Sequence, residues 1–269
     1  METGAGGRLD RWLLHGIAGL IAAFLVLPIL AIVPAAFNGR SFILLPPAEW
    51  SWRWWGVFFA DASWRRTLVT SLEVASCVTV LASVLGTAAA IGIARLSGAV
   101  RTLVLAIFVG PVVVPTIVLA IALYAMARSF GLVGTLLALV LAHTMLALPY
   151  AALNVGVSLR AVDPRLMLAA SGLGAGAWLV FRTVTLPLIL PGILGGAVFA
   201  FVTSFDEVVL SIFLAGPAVK TLPVRIWEEI RVELTPVVAV AATIMLVLAL
   251  AAWAIARLAE LRRDGRTAA

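Results

Sequence analysis

Long apolar runs separated by short polar connections dominate this chain, and six of them reach spanning length. A helix needs about 20 predominantly apolar residues to cross a bilayer core. The runs cover Trp12–Phe37, Thr67–Ala94, Thr102–Ala127, Leu132–Val157, Leu186–Leu214 and Pro236–Ala256. The pattern predicts an all-α membrane protein with six transmembrane helices. It divides the chain into residues 1–66 (a first helix and a Trp-rich outer loop), residues 67–256 (a core of five helices) and a basic tail at residues 257–269.

Composition removes the soluble alternative. Hydrophobic residues make up 63% of the chain and charged residues 12%, against about a quarter charged in a soluble domain. Basic residues number 19 and acidic ones 13. In a membrane chain that excess reflects loop topology and not nucleic-acid binding. Six spans place both termini on one side, together with the 95–101 loop and the long connection after Val157. That side carries eleven of the basic residues and the other side eight, which predicts cytoplasmic termini. METGAGGRLDRW precedes the first run without a small-residue cleavage site, so we read a retained helix and not a cleaved signal peptide. The single cysteine, Cys77, lies in an apolar run and allows no internal disulfide.

Polar groups inside the runs are the candidate chemistry, because an ionisable side chain at membrane depth is costly. Glu73 lies about two turns in from Arg66 and serves either structure or function. Pro111 and Pro115 both interrupt the third run. Each removes a helical donor, which predicts a packing kink or a pore-lining hinge. His143, in LAHTMLALPY, is either a relay or ligand, or a hydrogen-bonding link to a neighbouring helix. His15 is a weaker candidate of the same kind. Asp206 and Glu207 stand side by side near the outer end of the fifth run. They either meet a cationic substrate, or pair with an arginine or backbone at an outer gate. The outer loop holds Trp50, Trp52, Trp54, Trp55 and Trp64, an interfacial belt or an aromatic platform. VRIWEEIRVEL, before the last run, allows i,i+4 ion pairs and reads as a solvated helix or a docking site.

The longest patterned connection is Asp163–Pro191. Asp163 followed by Pro164 is a helix start. Leu166, Ala169, Ala170, Leu173, Ala177 and Phe181 recur at helical spacing and give one apolar face. Gly172, Gly174 and Gly176 interrupt it, predicting two short helices with a bend. Such a helix fits a groove on a partner protein, or rests on lipid as a connector.

This stretch resembles the cytoplasmic signature loop of bacterial ABC importer permeases, which reads Glu-Ala-Ala, three residues, Gly, nine residues, Ile-x-Leu-Pro. Here Leu168-Ala169-Ala170 is followed by three residues, Gly174, nine residues and Val184-Thr185-Leu186-Pro187. Leu168 departs from the usual Glu. GGAVFAFVTSFDEVVLSIFLAG, TLPVRIW and LAHTMLALPY resemble the spermidine/putrescine-type branch, and the likeness covers most of Thr67–Ala256. The resemblance implies a type-1 ABC importer permease fold in the bacterial inner membrane. It implies a coupling helix, carrying Asp163, Pro164, Leu166, Leu168, Ala169, Ala170 and Gly174, docked in a cleft of an ATPase subunit. The implied partners are two ATPase subunits, a second permease (a homologous hetero-partner) and a periplasmic substrate-binding protein. The implied substrate is a polyamine, with an opine, an aminophosphonate or another small solute as alternatives.

The residues agree on one further point. A phosphate-cradling P-loop needs a Gly-Lys pair, and the only lysine, Lys220, follows Val219. We therefore expect no cofactor on this chain, with ATP-Mg on the ATPase partner. No metal-ligand spacing or catalytic arrangement is present in the sequence, so the expected role is transport and not catalysis. A gradient-driven secondary transporter using Glu73, Asp206 and Glu207 as proton sites is the competing class. Its expected inverted repeat is not evident.

Overall fold

The computed structural model describes the backbone of residues 6–267 and the side chains of residues 13–259 and 261. Arg8, Arg11, Arg262, Arg263 and Arg266, which contribute to the topology count, lie outside the described side chains. The described elements are α1 (Gly6–Ala35), α2 (Arg53–Ala60), α3 (Ala62–Ala94), α4 (Gly98–Val113), α5 (Thr116–Ser129), α6 (Leu136–Ala161), α7 (Pro164–Gly172), α8 (Ala177–Val180), α9 (Leu186–Phe205), α10 (Val209–Leu214), α11 (Leu222–Val232) and α12 (Pro236–Thr267). A single π turn, Phe181–Thr185, joins α8 to α9. It lies just before Pro187, whose missing N–H leaves a gap in the helical ladder at the start of α9.

Among the described residues, five helices are long and apolar enough to span, or six if α4 and α5 form one span bent by 99°. The bend falls at Pro115. Val114 is extended (φ −69°, ψ 133°), as the residue before a proline must be, and its N–H closes α4 on Gly110 O at 3.0 Å. Pro111 stays inside α4. Several boundaries differ from the sequence expectation, and the last helix, α12, continues to Thr267 through most of the expected basic tail. The second span begins at Ala62, so Trp64, Arg65 and Arg66 belong to the helix and not the loop. The fourth is Leu136–Ala161, because Thr135 caps it by accepting from Ala138 N at 3.2 Å. The fifth runs from Ala177 to Phe205 and stops before Asp206. The two acids therefore stand outside the helix that the apolar pattern assigns them to.

The chain forms two compact units. One comprises the residues up to Ala62 together with Glu228–Ile244. In it, every side chain from residue 13 to residue 30 of α1 is exposed, an all-round apolar surface suited to hydrocarbon. The Trp-rich connection is folded: Gly39 N donates to Glu49 O, and Ser51 N to Phe37 O, both at 2.8 Å. Trp54 Nε1 donates to Arg40 O at 2.9 Å. The Phe37 ring packs edge-on to Trp52 (4.8 Å) and beside Trp55 (5.5 Å).

The other unit comprises Ser63–Trp227 and the residues from Met245 onward. Its core gathers Val74, Val78 and Ala82 of α3, Leu139, Leu146 and Ala151 of α6, Ala200 of α9, and Leu210 and Leu214 of α10. The α6 helix is the most buried span, and small residues let its neighbours approach it. A Cβ on Gly86 of α3 would lie 2.8 Å from Ala151 Cβ. One on Gly196 of α9 would lie 3.0 Å from Ala151 Cα. One on Gly192 would lie 2.7 Å from Asn154 O. Within the same unit, Leu222 N donates to Ser71 Oγ at 2.7 Å, and the Arg225 guanidinium lies 5.0 Å over the buried Trp64 ring.

Candidate functional site

The fifth span ends in a built break. At its last turn Asp206 N donates to Val202 O at 3.0 Å. Glu207 then turns its carboxylate onto the start of α10. Its Oε1 accepts from Val209 N at 3.0 Å and its Oε2 from Ser211 N at 3.1 Å. A carboxylate there satisfies amides that have no partner within the helix. The Ser211 hydroxyl donates to Glu207 O at 3.1 Å.

His143 of α6 ties this break to the bundle. Nδ1 lies 3.0 Å from Ser204 Oγ and 3.2 Å from Ser204 O, and Nε2 lies 3.0 Å from Ser211 Oγ. Nε2 is also 3.7 Å from Glu207 Oε2. The imidazole is buried, and its two ring nitrogens face serines of α9 and α10.

Beside the break is a cavity of about 380 Å³. Pro111 and Thr116, from the two sides of the α4–α5 bend, contribute to its wall with Tyr150 of α6, Thr203 of α9, Asp206 and Glu207. The two acids have different environments. The Glu207 side chain is 8% exposed and spends both oxygens on α10. Asp206 is exposed and lines the cavity. Glu73 is exposed on α3 and forms no part of this wall. Of the four pathway candidates, the structure brings Asp206, Glu207 and His143 together and leaves Glu73 apart. Sequence reasoning missed Ser204, Ser211, Tyr150 and Thr203. The signal for the serines was their placement on both sides of Asp206–Glu207 in TSFDEVVLS.

The Asp163–Pro191 connection contains the two expected helices. Asp163 Oδ1 accepts from Arg165 N at 2.9 Å, and Pro164 opens α7. Gly174 has φ +84°. Its N–H donates to Ser171 O at 3.0 Å, and Ala175 N to Ala170 O at 3.1 Å. This paired closure requires a left-handed residue after the helix, which gives the signature glycine a physical reason. The apolar side of α7 touches little of this chain: Leu166 is 48% exposed and Leu173 90%, while Leu168, on the other side of the helix, is 71% exposed. Ala169 is also exposed, and Ala170 is half-buried.

Residues 82–264 match the family described as the binding-protein-dependent transport system inner membrane component. The chain belongs to this family. As a member of the ABC importer permeases it is most readily compared with polyamine permeases. It is 31% identical to the putrescine transport system permease protein PotI of Escherichia coli K12 over 251 residues, 89% of each chain. It is 32% identical to the spermidine/putrescine transport system permease protein PotC of Haemophilus influenzae, covering 86% of this chain and 90% of that one. It is also 32% identical to the molybdenum transport system permease protein ModB of Mycobacterium bovis, covering 89% and 90%. The permease shares its fold with a bacterial alginate ABC transporter solved with an alginate pentasaccharide-bound periplasmic protein (TM-score 0.70, 16% identity, 94% and 95% of the two chains covered). The type-1 permease fold and the multi-pass inner-membrane setting expected from the apolar pattern and the signature loop are therefore those of the family.

Proposed function

We propose that this permease forms half of the translocation path of an ATP-driven importer for a small cationic solute of the polyamine kind. The observation that carries the substrate class is the exposed Asp206 carboxylate in the wall of the cavity between the α4–α5 bend and the α9–α10 break. A carboxylate in a half-closed cavity of mixed polar and apolar lining attracts an ammonium group more strongly than it would in water, and Tyr150 and Thr203 supply neutral hydrogen-bonding groups beside it. The similarity to putrescine and spermidine permeases supports this reading. A molybdenum permease relative of the same identity makes an anion the alternative substrate, and a cavity lined by two acids disfavours it.

The remaining parts follow from the same proposal. A periplasmic binding protein delivers the solute, a second permease forms the other half of the path, and two ATPase subunits bind ATP-Mg. Both termini and α7 face the cytoplasm. The exposed apolar side of α7 seats in a cleft of an ATPase subunit, and ATP-driven closure moves it and switches access. Uptake of labelled putrescine and molybdate by cells expressing the complete transporter tests the substrate class. Putrescine uptake reduced about tenfold in Asp206→Asn, with the complex still assembled, is the expected result. Full putrescine uptake by that variant, or molybdate uptake by the parent, sinks it.

A further inference from the structure

A second cavity, of about 340 Å³, lies where the end of α3, the start of α4 and the end of α6 meet. Its Arg160 stands ten residues beyond Tyr150 on α6, about 15 Å along the helix, while its inner end, at Ala152 and Val109, reaches to within two residues of the first cavity's wall at Tyr150 and Pro111. Its lining is apolar except for Arg101 and Arg160, and it includes no carboxylate. Arg160 Nε donates to Gly156 O at 3.3 Å, one turn back, which leaves its outer N–H groups for a ligand. Arg101 is exposed on the first turns of α4.

The depth of the cavity defines the ligand. Phe108 stands seven residues beyond Arg101 on α4, and Leu153 seven before Arg160 on α6. The apolar walls therefore extend about 10 Å from the arginines into the membrane. A simple anion fills only the mouth. A neutral apolar molecule leaves two guanidiniums without a counter-charge. We propose that this cavity binds one anionic phospholipid, with its phosphate between Arg101 and Arg160 and the upper part of an acyl chain along Phe108 and Leu153. Basic pockets between membrane helices suit such headgroups, and guanidinium pairs phosphate with more than one hydrogen bond. The lipid braces α4 against the end of α6, which runs through Val162 and Asp163 into α7. Only the choice of leaflet, the cytoplasmic one, rests on the orientation proposed above.

Native mass spectrometry of the full-length permease, purified in the assembly it forms and titrated with dioleoylphosphatidylglycerol, tests this. One saturable lipid per chain is expected, with affinity falling about tenfold or more in R101Q/R160Q. R101K/R160K retains most of the binding. Dioleoylphosphatidylcholine and inorganic phosphate do not compete. Equal phosphatidylglycerol binding by the glutamine variant overturns the proposal, as does equal binding of phosphatidylcholine or displacement by inorganic phosphate. Should the glutamine variant fail to fold, Leu153→Trp fills the cavity with both arginines intact; unchanged lipid binding by that variant overturns the proposal equally. The readout is lipid stoichiometry, so failure to recover an ATPase partner would count against the functional reading and leave this one standing.

Discussion

Ser211 and Glu207 hold each other twice across the first turn of α10, amide to carboxylate and hydroxyl to carbonyl, both at 3.1 Å. His143 anchors that turn to α6 through Ser211 Oγ at 3.0 Å and reaches Ser204 on the other side of the break. The break in the fifth span is thus a braced element that fixes where Asp206 points. His143→Ala strips a partner from both hydroxyls in a buried setting, at a cost of about 2 kcal/mol or more. We expect the melting temperature of the purified permease to fall by several degrees, and solute uptake to fall with it. His143→Gln keeps one donor and one acceptor and recovers part of the loss. An unchanged melting temperature in His143→Ala would remove the imidazole from this role.

The adjacent acids separate by assay. Asp206→Asn changes a carboxylate that faces the cavity, so yield and melting stay near the parent while uptake of a cationic solute falls about tenfold, the loss of one charge-assisted contact. Glu207→Gln replaces an acceptor oxygen by an N–H₂ group that meets a backbone N–H. A buried donor left facing a donor costs about 1–3 kcal/mol, so this variant loses thermal stability first. Melting curves and uptake measured on both variants give the ranking. Glu207→Gln melting like the parent, with Asp206→Asn destabilised, reverses it and contradicts the geometry.

Much of this was legible because hydropathy and local chemistry agree. Apolar runs mark the spans, Pro115 marks the bend in the third, and Asp163–Pro164 marks the start of α7. These are local signals, set by donors that proline lacks and caps that aspartate supplies. The stop after Phe205 was not legible. No Gly or Pro stands in Ser204–Ser211, and the helix ends there because Glu207 caps α10 and His143 holds serines on both sides. Those contacts join residues 61 and 68 positions apart. The Trp-rich connection hid its order for a similar reason. Its fold depends on Trp54 reaching Arg40 O and on rings gathering around Phe37, and not on an apolar period.

Gly192, Gly195 and Gly196 lie close together on α9 and differ in what they face. A Cβ at Gly192 would meet Asn154 O at 2.7 Å and crowd the Ser158 side chain. At Gly195 the nearest atom is Asn154 Oδ1 at 3.5 Å, an ordinary contact. Gly192→Ala must therefore push α9 off α6, at about 1–3 kcal/mol for overpacking, while Gly195→Ala is tolerated. Detergent-solubilised yield and melting temperature measure the difference. Equal behaviour of the two variants would mean that α6 and α9 do not pack this closely.

The last prediction concerns the exposed connection. Gly174 closes α7 at φ +84° with nothing within 4 Å of its would-be Cβ, so space is available there but the backbone conformation is not. A side-chain-bearing residue in this region pays about 1–2 kcal/mol, and Gly174→Trp also places an indole beside the apolar face proposed to enter the ATPase cleft. Because α7 has no buried residue of its own, that change leaves the membrane core intact and acts on the joint. The permease should still purify as a folded protein but lose its ATPase subunits on gel filtration. Leu168 is 71% exposed and sits where the signature that this stretch resembles has Glu, so Leu168→Glu should assemble with the ATPase or weaken the joint only slightly. Retention of the ATPase by Gly174→Trp, together with its loss from Leu168→Glu, would show that the partner does not read this helix through the face described.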